Sequence, residues 1–202
     1  MQYFREVEAG VAKWSNARDS RSRPLVGSEV QILPPASWKM YDSQKAHYIV
    51  VTGIIIKDGK FLITKRAPTE KAFPNQWTVP GGKLELKDYL NRPKDTSSHW
   101  YNIFEELLKR EVMEEVGLKI KNLGYLTSLS YIRSDSIPTI IVSLFADYDD
   151  GEIKLCSALT EYAWVTLEEA KSYDLIEGIY EELGMLDRLL KGDSAGTWEK
   201  RG

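Results

Sequence analysis

From Tyr48 onward, apolar and polar positions alternate regularly enough to predict elements. Tyr48 to Lys57 is a β-branched run, Asp58-Gly59 is a turn signal, and Lys60 to Lys65 resumes the strand, so the three form a hairpin. Pro68, Pro74 and Pro80 punctuate a loop that carries Phe73 and Trp77 and closes on Gly81-Gly82, and residues 83–99 are polar and read as an inserted loop. Trp100 to Val116 has helical periodicity stopped by Gly117 in a C-capping role. Strands are predicted around Leu123 to Ile132 and Pro138 to Tyr148, with a tight turn at Asp149-Asp150-Gly151 and a short strand from Glu161 to Val165. Thr166-Leu167-Glu168-Glu169 is a capping box, and a last amphipathic helix covers Ser172 to Lys191. Strands outnumber helices and helices interrupt them, which predicts an α/β sandwich with a mixed sheet covered by helices.

Residues 1–39 follow neither period. They carry six basic and four acidic side chains, and between Ser15 and Ser37 Ser, Arg and Pro dominate, so too little apolar surface is available to offset ordering. Two readings stand. One is a loosely packed extension. The other is a translated transfer-RNA gene, suggested by Val11 to Ala17 and Gly27 to Pro35, with the authentic start at Met40. The domain is expected over 40–191 and a frayed tail over 192–202.

The chain has 202 residues, 43% of them hydrophobic and 28% charged, which suits one globular domain. A net charge of −3 gives no footprint for nucleic acid, and the run Val50 to Ile56 is too short to span a bilayer. The lone Cys156 forms no intramolecular disulfide, and a cytoplasmic setting is the expectation.

The candidate chemistry lies in Arg110-Glu111-Val112-Met113-Glu114-Glu115-Val116-Gly117-Leu118. At about 100° per residue, Glu111, Glu114 and Glu115 fall within an arc of roughly 100°. Leu108, Val112 and Val116 form an apolar stripe beside them that anchors the helix. Like charges this close disfavour mutual ionisation, and a hard divalent cation with oxygen ligands, magnesium or manganese, removes the conflict. Arg110 lies four residues before Glu114 and is placed to pair with it. Three clustered glutamates are ordinarily a solvated face, but the upstream Val79-Pro80-Gly81-Gly82-Lys83 adds glycines where a backbone must approach closely.

Together these residues resemble the Nudix hydrolase box, G-x5-E-x7-R-E-U-x-E-E-x-G-U with U aliphatic. Arg110 to Leu118 matches its second half without a substitution, a coincidence on the order of 10⁻⁷ per starting position. The resemblance runs from about Tyr48 to Lys191, with one departure: Gly82 and Arg110 stand 28 apart, fourteen more than the family spacing. The first box acid is therefore unassigned, with Asp88 at its spacing from Gly82 and Asn102 at its spacing from Arg110.

The resemblance implies a MutT-like α/β/α sandwich and metal-dependent hydrolysis of a nucleoside diphosphate linked to another group. It assigns Glu111, Glu114, Glu115 and the Gly81 carbonyl to the metal. It assigns Arg110, Glu114, Glu115 and Glu161 to catalysis, with Glu161 as general base and Glu114 as the alternative, and Arg66, Trp77, Gly82 and Lys83 to substrate. A nucleoside triphosphate is the preferred substrate and an ADP-sugar the alternative, with a homodimer as a possible assembly. A catalytically idle nucleotide sensor is the competing class, but a sensor is expected to lose box carboxylates, and these are present.

Overall fold

The hairpin is the first element the backbone confirms. In the computed structural model, which describes Asp42 and residues 45–200, β1 (Tyr48–Lys57) and β2 (Lys60–Arg66) pair antiparallel, with Ile56 opposite Phe61. Asp58 and Gly59 both take positive φ, at 50° and 73°, as a two-residue turn matched to strand twist requires. The expectations for residues 1–39 lie outside the described residues.

Two strands too short to show a period follow, β3 (Trp77–Thr78) and β4 (Gly81–Lys83). After them come α1 (Lys87–Leu90), α2 (Ile103–Val116), β5 (Lys119–Ile132), β6 (Pro138–Asp150), β7 (Leu159–Val165), α3 (Leu167–Ala170) and α4 (Ile179–Leu190). The sheet order is β3-β2-β1-β6-β5, with β4 also on β1 and β7 also on β2. The β1–β6 pair is parallel and the others are antiparallel, so the sheet is mixed, as predicted.

Alternation divides the core between two faces. Val51, Ile55 and Leu62 pack with Leu107, Leu108, Val112 and Val116 of α2. Ile54, Phe61 and Ile63 pack with Leu183, Met185 and Leu186 of α4. A Cβ at Gly53 would stand 2.6 Å from Leu108 Cδ2, so this glycine is what lets α2 lie close on the sheet.

Several boundaries differ from the prediction. The segment 83–99 holds the single turn α1, and α2 begins at Ile103 rather than Trp100, because Trp100 is engaged elsewhere: its ring stacks on Tyr89 at 5.3 Å and its Nε1 donates to the Arg92 carbonyl at 3.1 Å. Strand β6 runs through Asp150, so the turn expected over 149–151 comes only after it, at Gly151 with φ 110°. The last helix starts at Ile179 rather than Ser172. Residues 174–176 instead clamp β3, with Trp77 N donating to Asp174 O at 2.8 Å and Ile176 N donating to Trp77 O at 2.9 Å. The tail expected to fray folds back on α4: Arg188 donates to Ala195 O at 2.8 Å and Lys200 pairs with Glu177 at 2.9 Å. The capping box is present, with Glu169 N donating to Thr166 Oγ1 at 3.2 Å and Thr166 N donating to Glu169 Oε2 at 2.8 Å. No helix among the described residues is long and apolar enough to cross a membrane.

Candidate active site

The site is assembled where α2 meets β4. Packing of Leu108, Val112 and Val116 turns the adjacent ridge of α2, with Glu111 and Glu115, toward the Gly81-Gly82 strand. Gly82 stands opposite Val51, on the α2 face, and the space a Cβ would occupy there is filled by the Glu111 carboxylate. The neighbouring Gly81 N–H donates to Glu115 Oε2 at 3.0 Å. Two glycines thus receive two carboxylates, and any side chain at residue 82 would expel one of them.

Burial pushes the Glu115 carboxyl up to about 7. The Gly81 N–H opposes this, Glu111 adds to it, Arg66 opposes it and Glu70 adds to it. Burial also raises Glu111, partly offset by Arg110 beside it. Both are carboxylates whose ionisation lacks a full counter-charge.

Arg110 organises the ridge. It donates to Glu114 Oε2 at 2.7 Å, as the spacing predicts, and to Glu111 Oε1 at 2.8 Å. Its Nε lies 2.9 Å from Oδ1 of Asp88, whose side chain is 5% exposed. That last contact is an ion pair only, since neither atom finds a hydrogen-bond partner of good geometry. The other Asp88 oxygen accepts from Glu85 N at 2.7 Å. Burial pulls the Arg110 pKa down, but Glu111, Asp88 and Glu114 more than reverse it, leaving it raised. Asp88, not Asn102, therefore meets the arginine, and the chain between them is pinned: Tyr101 N donates to Asp95 Oδ2 at 2.8 Å. The spacing from Gly82 was the signal for Asp88, but spacing alone left Asn102 equally eligible.

Arg66 ends β2, where the register slips between Lys65 and Arg66. Its Nε donates to Ala72 O and its Nη2 to Glu70, each at 2.8 Å, and its charge reaches Glu115. Glu70 is a neighbour for which the sequence offers no spacing signal.

Three candidates stand elsewhere. Glu161 lies opposite Lys65 and accepts from its Nζ at 2.7 Å. Lys65 also faces Trp77, which is buried in the α4-side core with its ring edge-on to Tyr173 at 4.7 Å. Glu161 and Trp77 are therefore on the face opposite α2, because side chains directly across antiparallel strands share a face. Trp77 is a loop anchor there, so its assignment to substrate stacking is corrected. Lys83 is exposed at the end of β4 and opposite Val50, one register step from Gly82 and hence on the other face as well.

Among the described residues no three Asp, Glu, His or Cys side chains converge on one point. Glu114, 58% exposed, is drawn toward Arg110. The donor set nevertheless suits a hard cation: oxygens only, two of the carboxylates raised by burial, and a glycine cradle already holding one of them.

A family model described as NUDIX domain matches residues 47–183. Nucleoside triphosphatase NudI of Escherichia coli (strain K12) is 29% identical over 136 residues, covering 62% of this chain and 86% of that protein. A MutT NUDIX hydrolase from Burkholderia pseudomallei superimposes with a TM-score of 0.55 at 19% identity, over 69% of this chain and 98% of that one. The NUDIX domain of Shewanella oneidensis NrtR complexed with ADP ribose gives a TM-score of 0.53 at 16% identity, over 75% of this chain and 93% of that one. At these identities the two structures bear on the fold alone.

Proposed function

Because the chain belongs to the Nudix family of hydrolases, we propose that it cleaves a phosphoanhydride of a nucleoside triphosphate, releasing a nucleoside monophosphate and pyrophosphate with the help of magnesium or manganese. The observation that carries this reading is the seating of Glu111 and Glu115 against Gly82 and Gly81. Similarity to the nucleoside triphosphatase NudI supports the triphosphate over an ADP-sugar.

In this reading Glu111, Glu114, Glu115 and the Gly81 carbonyl hold the cation. A bound divalent ion supplies charge neutralisation for the polyphosphate and a water more acidic than bulk. The protein's own groups do the rest. Arg66 adds positive charge on the same face as Glu115, where the leaving phosphate gains negative charge. Arg110 keeps Glu111 and Glu114 from splaying apart. Of the two candidate bases, Glu114 is on the same helix as Glu111 and Glu115 and shares Arg110 with Glu111, whereas Glu161 is paired to Lys65 on the other face of the sheet, so water activation falls to Glu114. One P–O bond to the bridging oxygen breaks, the water oxygen takes its place, and the water's proton passes to the carboxylate.

The test is phosphate release with magnesium over a panel of nucleoside triphosphates, read after added pyrophosphatase, and over ADP-ribose, read after added alkaline phosphatase. The phosphatase frees phosphate from the AMP and ribose 5-phosphate formed but not from the intact diphosphate. The wild type should turn over triphosphates. Glu115→Gln keeps an oxygen for the Gly81 N–H and should lose about 10²–10³-fold in kcat with an unchanged circular dichroism spectrum. Retained turnover in that variant rejects the assignment.

A further inference from the structure

On the α2 face of the sheet, away from the paired glycines, lies a cavity. It is a half-open cleft of about 340 Å³, and its lining includes Lys57, Tyr148, Tyr162, Trp164, Leu118 and Glu152. That is the small end of the range for ligand pockets. Lys57 stands five residues beyond Thr52, which pairs with Gly81, so the cavity is about 17 Å along β1 from the candidate active site.

Its walls are built rather than incidental. Lys154 N donates to Val116 O at 2.9 Å and the Tyr148 hydroxyl donates to Gly151 O at 2.9 Å, fixing the turn that forms one side. Gly151 takes φ 110°, and a Cβ there would stand 2.7 Å from Gly117 O, so the turn closes tightly on the end of α2.

The charge inside is unusual. Lys57 Nζ lies 3.9 Å from the Tyr148 ring centre and 5.8 Å from that of Trp164, and the two rings meet edge-to-face at 6.4 Å and 89°. Among the described residues Lys57 has no carboxylate partner, and Glu152, which lines the same cavity, does not pair with it. Ring faces stabilise an ammonium by only part of what a counter-ion supplies. We propose that the cavity is a second binding site for a planar aromatic anion of mononucleotide size, its ring against Trp164 and Tyr162 and its negative group on Lys57. A cationic ligand would meet Lys57 as a like charge, and Glu152 in the same lining confines the ligand's negative group to the Lys57 side. The proposal stands independently of the hydrolytic reading.

Titration of the full chain with adenosine 5′-monophosphate in EDTA, followed by the Trp164 indole N–H resonance, tests it. The wild type should show a saturable shift, with adenosine and inorganic phosphate each at least about tenfold weaker. Lys57→Gln should weaken binding at least about tenfold while its hydrolytic rate stays at the wild-type value. Glu115→Gln should bind as the wild type does. The proposal is overturned if Trp164 does not respond, if adenosine binds as well as the monophosphate, if Lys57→Gln is without effect, or if Glu115→Gln abolishes the response.

Discussion

Glu182 is a carboxylic acid in the wrong medium, and its replacement by glutamine makes a quantitative prediction. The residue is 4% exposed, on the side of α4 that faces the sheet. Burial pushes its carboxyl to about 7, the Ser143 hydroxyl pulls it partly back by donating to it, and Glu181 adds to the rise. Ser143 is in turn 3.3 Å from the Thr52 hydroxyl. Because the folded pKa exceeds the ordinary 4.5, the folded protein holds the proton that the unfolded chain releases. The contribution to stability is fully present below about pH 4.5 and is lost as pH rises through about 7. At 1.36 kcal/mol per pH decade, the loss between pH 5 and pH 8 is about 2.5 kcal/mol. Glu182→Gln has no proton to lose, so its stability relative to wild type should rise by that amount across the interval. Any constant cost of the amide cancels. With a urea m-value of about 2 kcal/mol/M, the two midpoints should move apart by about 1 M. Glu115 imposes the same trend but is common to both proteins. Urea unfolding at pH 5, 6, 7 and 8 gives the answer, and parallel pH dependences for the two proteins would refute the reasoning.

Two further substitutions probe the turn and the arginine. Gly82→Ala places a methyl where the Glu111 carboxylate lies, and should lower kcat/KM by about 100-fold while overpacking costs about 1–3 kcal/mol in urea. Wild-type activity in this variant would show that Glu111 is free to leave the cradle. Asp88→Asn retains an oxygen for the Glu85 N–H but removes the charge facing Arg110, and should cost about 1–3 kcal/mol. Its kcat should fall about tenfold with KM nearly unchanged, since Arg110 loses one of its fixed points, and steady-state kinetics beside thermal unfolding would decide.

What was legible in the chain was what local periodicity or a local turn dictates. Asp58-Gly59, the Thr166 capping box, the Leu108-Val112-Val116 stripe and the Arg110–Glu114 pair all depend on neighbours within four residues. Strands β3 and β4, of two and three residues, are too short to carry a period, so the prolines around them read as loop. The start of α4 was missed because Leu175 and Ile176 are apolar for another reason, the clamp of residues 174–176 on Trp77. Glu161 depended on which face of β7 it occupies. That is set by Trp164 entering the α2-side core three residues later, a partition no single strand reveals.

The fourteen additional residues inside the box show how a site survives an insertion. Asp88 keeps its spacing from Gly82 and reaches Arg110 across the extra chain, so the added length lies after the acid and before the helix. The excess is absorbed by contacts internal to the segment: Trp100 on Tyr89, Arg92 donating to Tyr101 O, and Asp95 accepting from Tyr101 N. What the ridge requires is a buried negative group behind the guanidinium, because Arg110 faces Glu111 and Glu114 on its other side. In the proposed reaction, Asp88 would keep the arginine held should Glu111 or Glu114 turn toward a cation. Without it, the same movement would leave a half-buried guanidinium short of counter-charge. The acid behind the arginine therefore leaves the carboxylates in front of it free to change partners.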